Sequence, residues 1–220
     1  MADWETRVVR SDGCRVAYDR RQGEGPEVVL LHGYGLDRTM WAPQLAALEG
    51  RTVLNLDIRG HGDSRPCADF SIPQAAEDLR AVLVKERCRA PVLVGLSMGG
   101  YVVQEYAWQF GYLVAGATPI LLDCYSGWER AGLRASTPLL GVWPWRCLKS
   151  AMAMACSSTE EGRAAVRRMF DQLTRREFLR GWRGIAQCLH PEKHFSFDAP
   201  LLVCRGERDR TGTIARHMED

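Results

Sequence analysis

Pro91-Val92-Leu93-Val94-Gly95-Leu96-Ser97-Met98-Gly99-Gly100 decides how the chain is read. Apolar, β-prone residues run straight into Gly-x-Ser-x-Gly, and Tyr101 to Trp108 continues as a helix-like segment. A buried strand, a sharp turn holding a serine and then a helix form the context in which this motif presents a nucleophile. Glycines flank the serine because a strained turn tolerates almost no Cβ beside it. Ser97 would then sit at a helix N-terminus, where backbone N–H groups and the positive dipole end favour a nearby oxyanion.

Working outward, the preceding segments alternate strand and helix. Thr6-Arg7-Val8-Val9-Arg10 and Cys14-Arg15-Val16-Ala17-Tyr18 alternate across Asp12-Gly13, which predicts an antiparallel hairpin at a sheet edge. Glu27-Val28-Val29-Leu30-Leu31 and Thr52-Val53-Leu54-Asn55-Leu56-Asp57 are apolar runs of the kind found in central parallel strands. A helix is expected across Trp41, Leu45 and Leu48. Another opens with Ser71 as cap, Pro73 in the first turn and Gln74 completing a capping box. Its buried stripe is Ile72, Ala76, Leu79 and Leu83. Further strands are expected within Leu113 to Asp123 and at Ala199 to Arg205.

Between Cys124 and Asp198 the character changes: Arg, Trp and Met are frequent and no run looks like a strand. Ser158 with Glu161 reads as a capping box opening a helix from Glu160 to Asp171. A helix over Leu173 to Leu189 would carry Phe178, Trp182, Ile185, Ala186 and Leu189 on one side. The arginines at 163, 167, 168, 175, 176, 180 and 183 read as a solvated helix face. The expected class is α/β: a mostly parallel β-sheet with helices on both faces, residues 1–123 and 199–220 forming the core and 124–198 a helical cap insertion.

Composition narrows the function classes. The chain has 220 residues, 46% hydrophobic and 25% charged, enough for one sizeable core. A net charge of +2 gives no global pull toward nucleic acid or an anionic membrane, so neither partner is expected. The eight cysteines show no Cys-x-x-Cys pair or zinc spacing, so no metal is expected. Cys14 and Cys204 lie in strand-like runs and are expected to be buried. Met1-Ala2-Asp3-Trp4-Glu5 has neither a basic start nor an apolar run, and free thiols fit a reducing compartment, so a cytoplasmic location is expected.

Four motifs in order resemble the α/β-hydrolase fold family, in particular its serine esterases, enol-lactonases and perhydrolase-like members. His32-Gly33 is similar to the family's oxyanion loop. Asp57-Ile58-Arg59-Gly60-His61-Gly62-Asp63-Ser64 is similar to its loop after the fourth strand. Gly95-Leu96-Ser97-Met98-Gly99-Gly100 matches the nucleophile elbow, and Gly206-Glu207-Arg208-Asp209 looks like the acid loop. The resemblance implies Ser97 as nucleophile, Asp209 as the acid orienting a histidine base, and the backbone N–H groups of Met98 and Tyr34 as oxyanion donors. The Tyr34 ring is expected only to line the pocket, and His61 to be a structural loop histidine. The substrate implied is a small carboxylic ester, thioester or lactone, with no organic cofactor.

One member of the triad is missing. The family places its histidine on a loop after one more strand, yet only Thr211 to Asp220 follows Asp209. His32 and His61 belong to other motifs, and nothing in the spacing requires His190, His194 or His217 to reach the serine. No catalytic histidine is found, and the core is expected to be C-terminally incomplete. The alternative reading is a non-catalytic protein of the same fold that binds a small molecule or a partner. The sequence leaves substrate identity and oligomeric state open.

Overall fold

The computed structural model describes residues 4–110 and 127–186, together with Leu202 and Cys204. Five strands form one sheet in the order β1-β2-β4-β3-β5. They are β1 (Trp4–Ser11), β2 (Cys14–Arg21), β3 (Glu24–Leu31), β4 (Arg51–Leu56) and β5 (Val92–Gly95). β3 lies between β4 and β5 and pairs with both in parallel, Val29 opposite Leu54 on one side and Leu93 on the other. β1 and β2 form the antiparallel hairpin, and β2 continues antiparallel onto β4. Its turn places Asp12 at φ 42° and Gly13 at φ 70°, the two left-handed positions that match the twist of paired strands.

Two helices cover the parallel strands: α1 (Ile72–Lys85) and α2 (Met98–Phe110). Ser71 caps α1 by accepting the Gln74 N–H at 3.3 Å. Ile72, Ala76, Leu79 and Leu83 are all buried, with Val102, Val103 and Tyr106 of α2, against Val29, Leu31, Leu54, Leu56 and Leu93 of the sheet. Val29 to Leu31, Val53, Leu54, Leu56 and Leu93 are the covered, apolar part of the parallel strands, while Glu24, Pro26 and Arg51 at their starts are exposed.

The segment predicted as helix around Trp41 is a 3-10 helix, Arg38–Leu48. Pro43 lies inside it, and a proline ring excludes the carbonyl four residues earlier that an α-helix would place there. Residues 127–186 are helical, as expected: α3 (Gly127–Val142), α4 (Trp145–Cys156), α5 (Glu160–Asp171) and α6 (Arg175–Ala186). The residue capping α5 is Thr159, not Ser158; its hydroxyl accepts the Gly162 N–H at 3.1 Å. Cys14 is buried but Cys204 is exposed, like Leu202, so an apolar run marks a tendency to be covered rather than the cover itself.

The strand expected within 113–123, the acid loop at 206–209 and the histidines at 190, 194 and 217 lie outside the described residues, as does the 199–205 run except Leu202 and Cys204. Among the described residues, no helix is long and apolar enough to cross a membrane.

Candidate active site

Ser97 stands between β5 and α2 with φ 52°, in the left-handed region that a side chain rarely adopts, and it is exposed. Such a conformation costs about 1–3 kcal/mol and persists only where the surroundings force it. Close backbone packing supplies the force. A Cβ on Gly95 would lie 2.4 Å from the Gly99 carbonyl carbon, and one on Gly99 would lie 2.3 Å from the Leu31 oxygen. The first turn of α2 therefore rests directly on the end of β3, and the Leu96 N–H donates to Leu31 O at 3.0 Å. Gly100 and Tyr101 N–H groups turn back to Ser97 O at 2.8 and 3.2 Å. Met98, the first residue of α2, has no acceptor for its N–H among the described residues, as a helix start leaves it.

The loop after β3 lies against this turn. Position 33 approaches Leu96, whose oxygen would be 3.6 Å from a Cβ there. Gly33 to Leu36 is a tight turn closed by Leu36 N–H to Gly33 O at 3.2 Å. Gly35 takes φ +73° at its third position, as a type II turn requires. The Tyr34 N–H, at the second position, is outside the turn's own hydrogen bond and has no acceptor among the described residues. Two adjoining segments thus each leave one N–H free beside an exposed serine hydroxyl.

His32 and His61 are both committed to the scaffold. The His32 Nδ1–H donates to Gly33 O at 2.8 Å and Nε2 accepts the Ile58 N–H at 3.0 Å. A carbonyl can only accept and an amide can only donate, so this ring is neutral with its proton on Nδ1. Burial lowers its pKa to about 4. The His61 Nδ1–H donates to Arg59 O at 3.0 Å, and burial, with His32 5.1 Å away, lowers its pKa to about 3. His61 is the structural loop histidine that its sequence suggested.

The rest of the Asp57–Ser64 loop is equally occupied. Asp57 accepts the Arg38 and Asp63 backbone N–H groups at 2.7 and 2.8 Å and pairs with the Arg38 guanidinium. Burial nevertheless raises its carboxyl above the usual value. Arg59, fully buried, forms a two-point pair with Asp78 at 2.6 and 2.7 Å. These contacts fix the loop.

The Tyr34 side chain differs from its expected role. Its ring is buried and its hydroxyl donates to the Phe178 carbonyl of α6. The ring packs against Phe178, Trp182 and His61 at centroid distances of 5.1, 5.8 and 5.7 Å. Burial raises the pKa of this phenol well above its ordinary value, so it remains a hydrogen-bond donor. Phe178 also meets Trp145 of α4 at 5.4 Å and Phe170 of α5 at 6.0 Å. Phe170 lies over Gly35 so closely that a Cβ there would sit 2.2 Å from the ring.

Sequence reasoning missed this aromatic joint. The solvated-face reading holds for Arg168, Arg176 and Arg183, which are exposed. It fails for others: Arg180 donates to Cys67 O at 2.6 Å, Arg163 to Ser157 O at 3.0 Å, and Arg175 to Gly141 and Trp143 O at 2.9 and 2.6 Å. A guanidinium's many donors let it bind loose backbone carbonyls that hydrophobic periodicity does not register.

A mixed sheet whose parallel strands deliver a left-handed serine onto a helix start, beside a loop with a free N–H, defines the α/β-hydrolase architecture. Residues 28–220 match the model of the Alpha/beta hydrolase family, and the chain belongs to that family. It is similar to the pimeloyl-[acyl-carrier protein] methyl ester esterase of Aeromonas hydrophila, 40% identical over 91 residues, which are 40% of this chain and 34% of that protein. The chain spans between 30% and 34% of the length of the first curated relatives it matches. Among solved structures, the enol-lactonase from Burkholderia xenovorans superposes with a TM-score of 0.77 at 22% identity, covering 96% of this chain and 86% of that one. The bottromycin epimerase BotH superposes with a TM-score of 0.76 at 21% identity, covering 97% and 85%. A lactonase and an epimerase at equal likeness show the fold, not the reaction.

Proposed function

We propose that this protein is a serine hydrolase that cleaves a small carboxylic ester, thioester or lactone through an acyl-enzyme. The observation that carries the reading is the exposed Ser97, held at φ 52° beside the free N–H groups of Met98 and Tyr34. Ser97 Oγ attacks the acyl carbon and its proton passes to a histidine base. The carbonyl oxygen becomes an oxyanion that the two N–H groups bind, each worth about 3–4 kcal/mol of barrier. Collapse breaks the bond to the alcohol or thiol, which leaves with the proton, and water then releases the acid from Ser97. Asp209 is proposed to orient the base; His32, with both ring nitrogens bonded to backbone, and His61, buried beneath Tyr34 with its Nδ1 bonded to Arg59 O, are set aside as that base. Residues 124–198 are proposed as a cap over the pocket, where acyl specificity would reside. The esterase named among the relatives supports this substrate class.

A fluorophosphonate probe tests the proposal, because it reacts with an activated serine and forms a stable adduct. Labelling at Ser97 that disappears in Ser97→Ala is the expected result. A folded chain that resists labelling would overturn it and favour the alternative, a non-catalytic binding protein on this fold.

A further inference from the structure

We infer that the Tyr34 hydroxyl is a positioning group, fastening the oxyanion loop to helix α6 so that the helical segment sets the geometry of the second oxyanion donor. The inference rests on the serine-hydrolase reading and goes beyond it by assigning the residue's side chain, not only its N–H. Tyr34 has two ends with separate partners. Its N–H has no acceptor among the described residues and lies one residue from Gly33, which approaches Leu96, while its hydroxyl donates to Phe178 O, a contact spanning 144 residues of sequence. The ring between them is buried and cannot drift, since Gly181 of α6 leaves only enough room for it. A Cβ at position 181 would lie 2.8 Å from Tyr34 Cε2.

The next residue is fixed from the same direction. Phe170 lies on Gly35, the left-handed third residue of the Gly33–Leu36 turn that carries the Tyr34 N–H at its second position. Three further helices reach Tyr34 through one ring or one bond: Trp145 of α4 and Phe170 of α5 pack on Phe178, and Trp182 donates to Ser136 of α3 at 2.8 Å. Helices remote from the reacting bond therefore fix where the Tyr34 N–H points. An oxyanion donor acts through exact placement, and displacement of about 1 Å is enough to lose much of its effect.

The test is fluorophosphonate inactivation resolved into binding (KI) and the chemical step (kinact), because the phosphoryl oxygen occupies the oxyanion position only as Ser97 adds. Tyr34→Phe keeps the ring and removes the fastening; it should lower kinact about tenfold and leave KI within twofold. Gly181→Ala pushes the same ring from the α6 side and should lower kinact likewise, with the far-ultraviolet circular dichroism of both variants unchanged. Gly141→Ala, which meets Leu179 at 3.8 Å rather than Tyr34, should leave both constants unchanged and controls for general damage to the helices. Unaltered kinact in Tyr34→Phe, or a change confined to KI, overturns the inference while leaving the hydrolase reading intact. A wild-type chain that is not labelled removes the hydrolase reading itself.

Discussion

The elbow and the helical segment are held to the fold by different means. Around Ser97, backbone meets backbone: Gly95 on Gly99, Gly99 on Leu31, with Leu96 bonded to the end of β3. Across the joint with α4–α6, side chains do the holding: Tyr34 to Phe178 O, Phe170 on Gly35, Arg180 on Cys67 O. The first arrangement admits almost no substitution, because a backbone atom cannot step aside. The second can be rebuilt with other side chains of matching shape, because its contacts are made by side chains and not by the backbone. One fold can thus keep its serine turn fixed while the segment that would bear on specificity varies.

Glycine substitutions would break this contrast most directly. Gly99→Ala places a methyl against Leu31 and His32 backbone oxygens at 2.3 and 2.9 Å, and should cost at least about 3 kcal/mol by denaturant titration. Gly141→Ala, in α3 with only Leu179 Cδ1 at 3.8 Å, should be neutral or stabilising by up to about 1 kcal/mol. Equal costs at the two sites would show that the helical segment is packed as rigidly as the elbow.

Acid should weaken the loop side of the molecule next. His32 and His61 titrate near 4 and 3 when folded, from an ordinary 6.5. The unfolded chain therefore binds more protons below pH 6.5, so stability falls as the pH drops from there toward 4. At pH 5 each histidine contributes a loss of roughly 2 kcal/mol. Melting temperatures measured from pH 7 to 4.5 should decline steadily, and the decline should shrink in His61→Gln, whose side chain does not titrate. A smaller effect is expected from Thr159→Ala, which removes the α5 cap and should cost about 1 kcal/mol in the same melting assay.

What could be read from the sequence follows the same division. The strands, the hairpin turn, α1 with its Ser71 cap and the serine turn were legible because each rests on local periodicity or on a glycine that the backbone demands. The α5 cap was misplaced because Ser157, Ser158 and Thr159 are all competent caps, and only the helix phase selects Thr159. The 3-10 form of Arg38–Leu48 had its signal in Pro43, which the apolar spacing of Trp41, Leu45 and Leu48 outweighed. The role of the Tyr34 side chain was not legible at all: its partners Phe178 and Gly181 are remote in sequence, and an aromatic on an amphipathic helix has no stated addressee. The serine turn lies against the loop carrying Tyr34, and the catalytic roles of Ser97, Met98, Tyr34 and Asp209 are proposals.

The left-handed backbone at Ser97 has a consequence for selection. Glycine adopts φ 52° without strain, so Ser97→Gly should make the protein more stable by about 1 kcal/mol while removing the one hydroxyl at the turn. Any process that rewards durability alone would erase this serine. A hydroxyl kept where glycine would be more stable is what the proposed demand for reactivity at Ser97 would leave in the chain, a tolerated weakness.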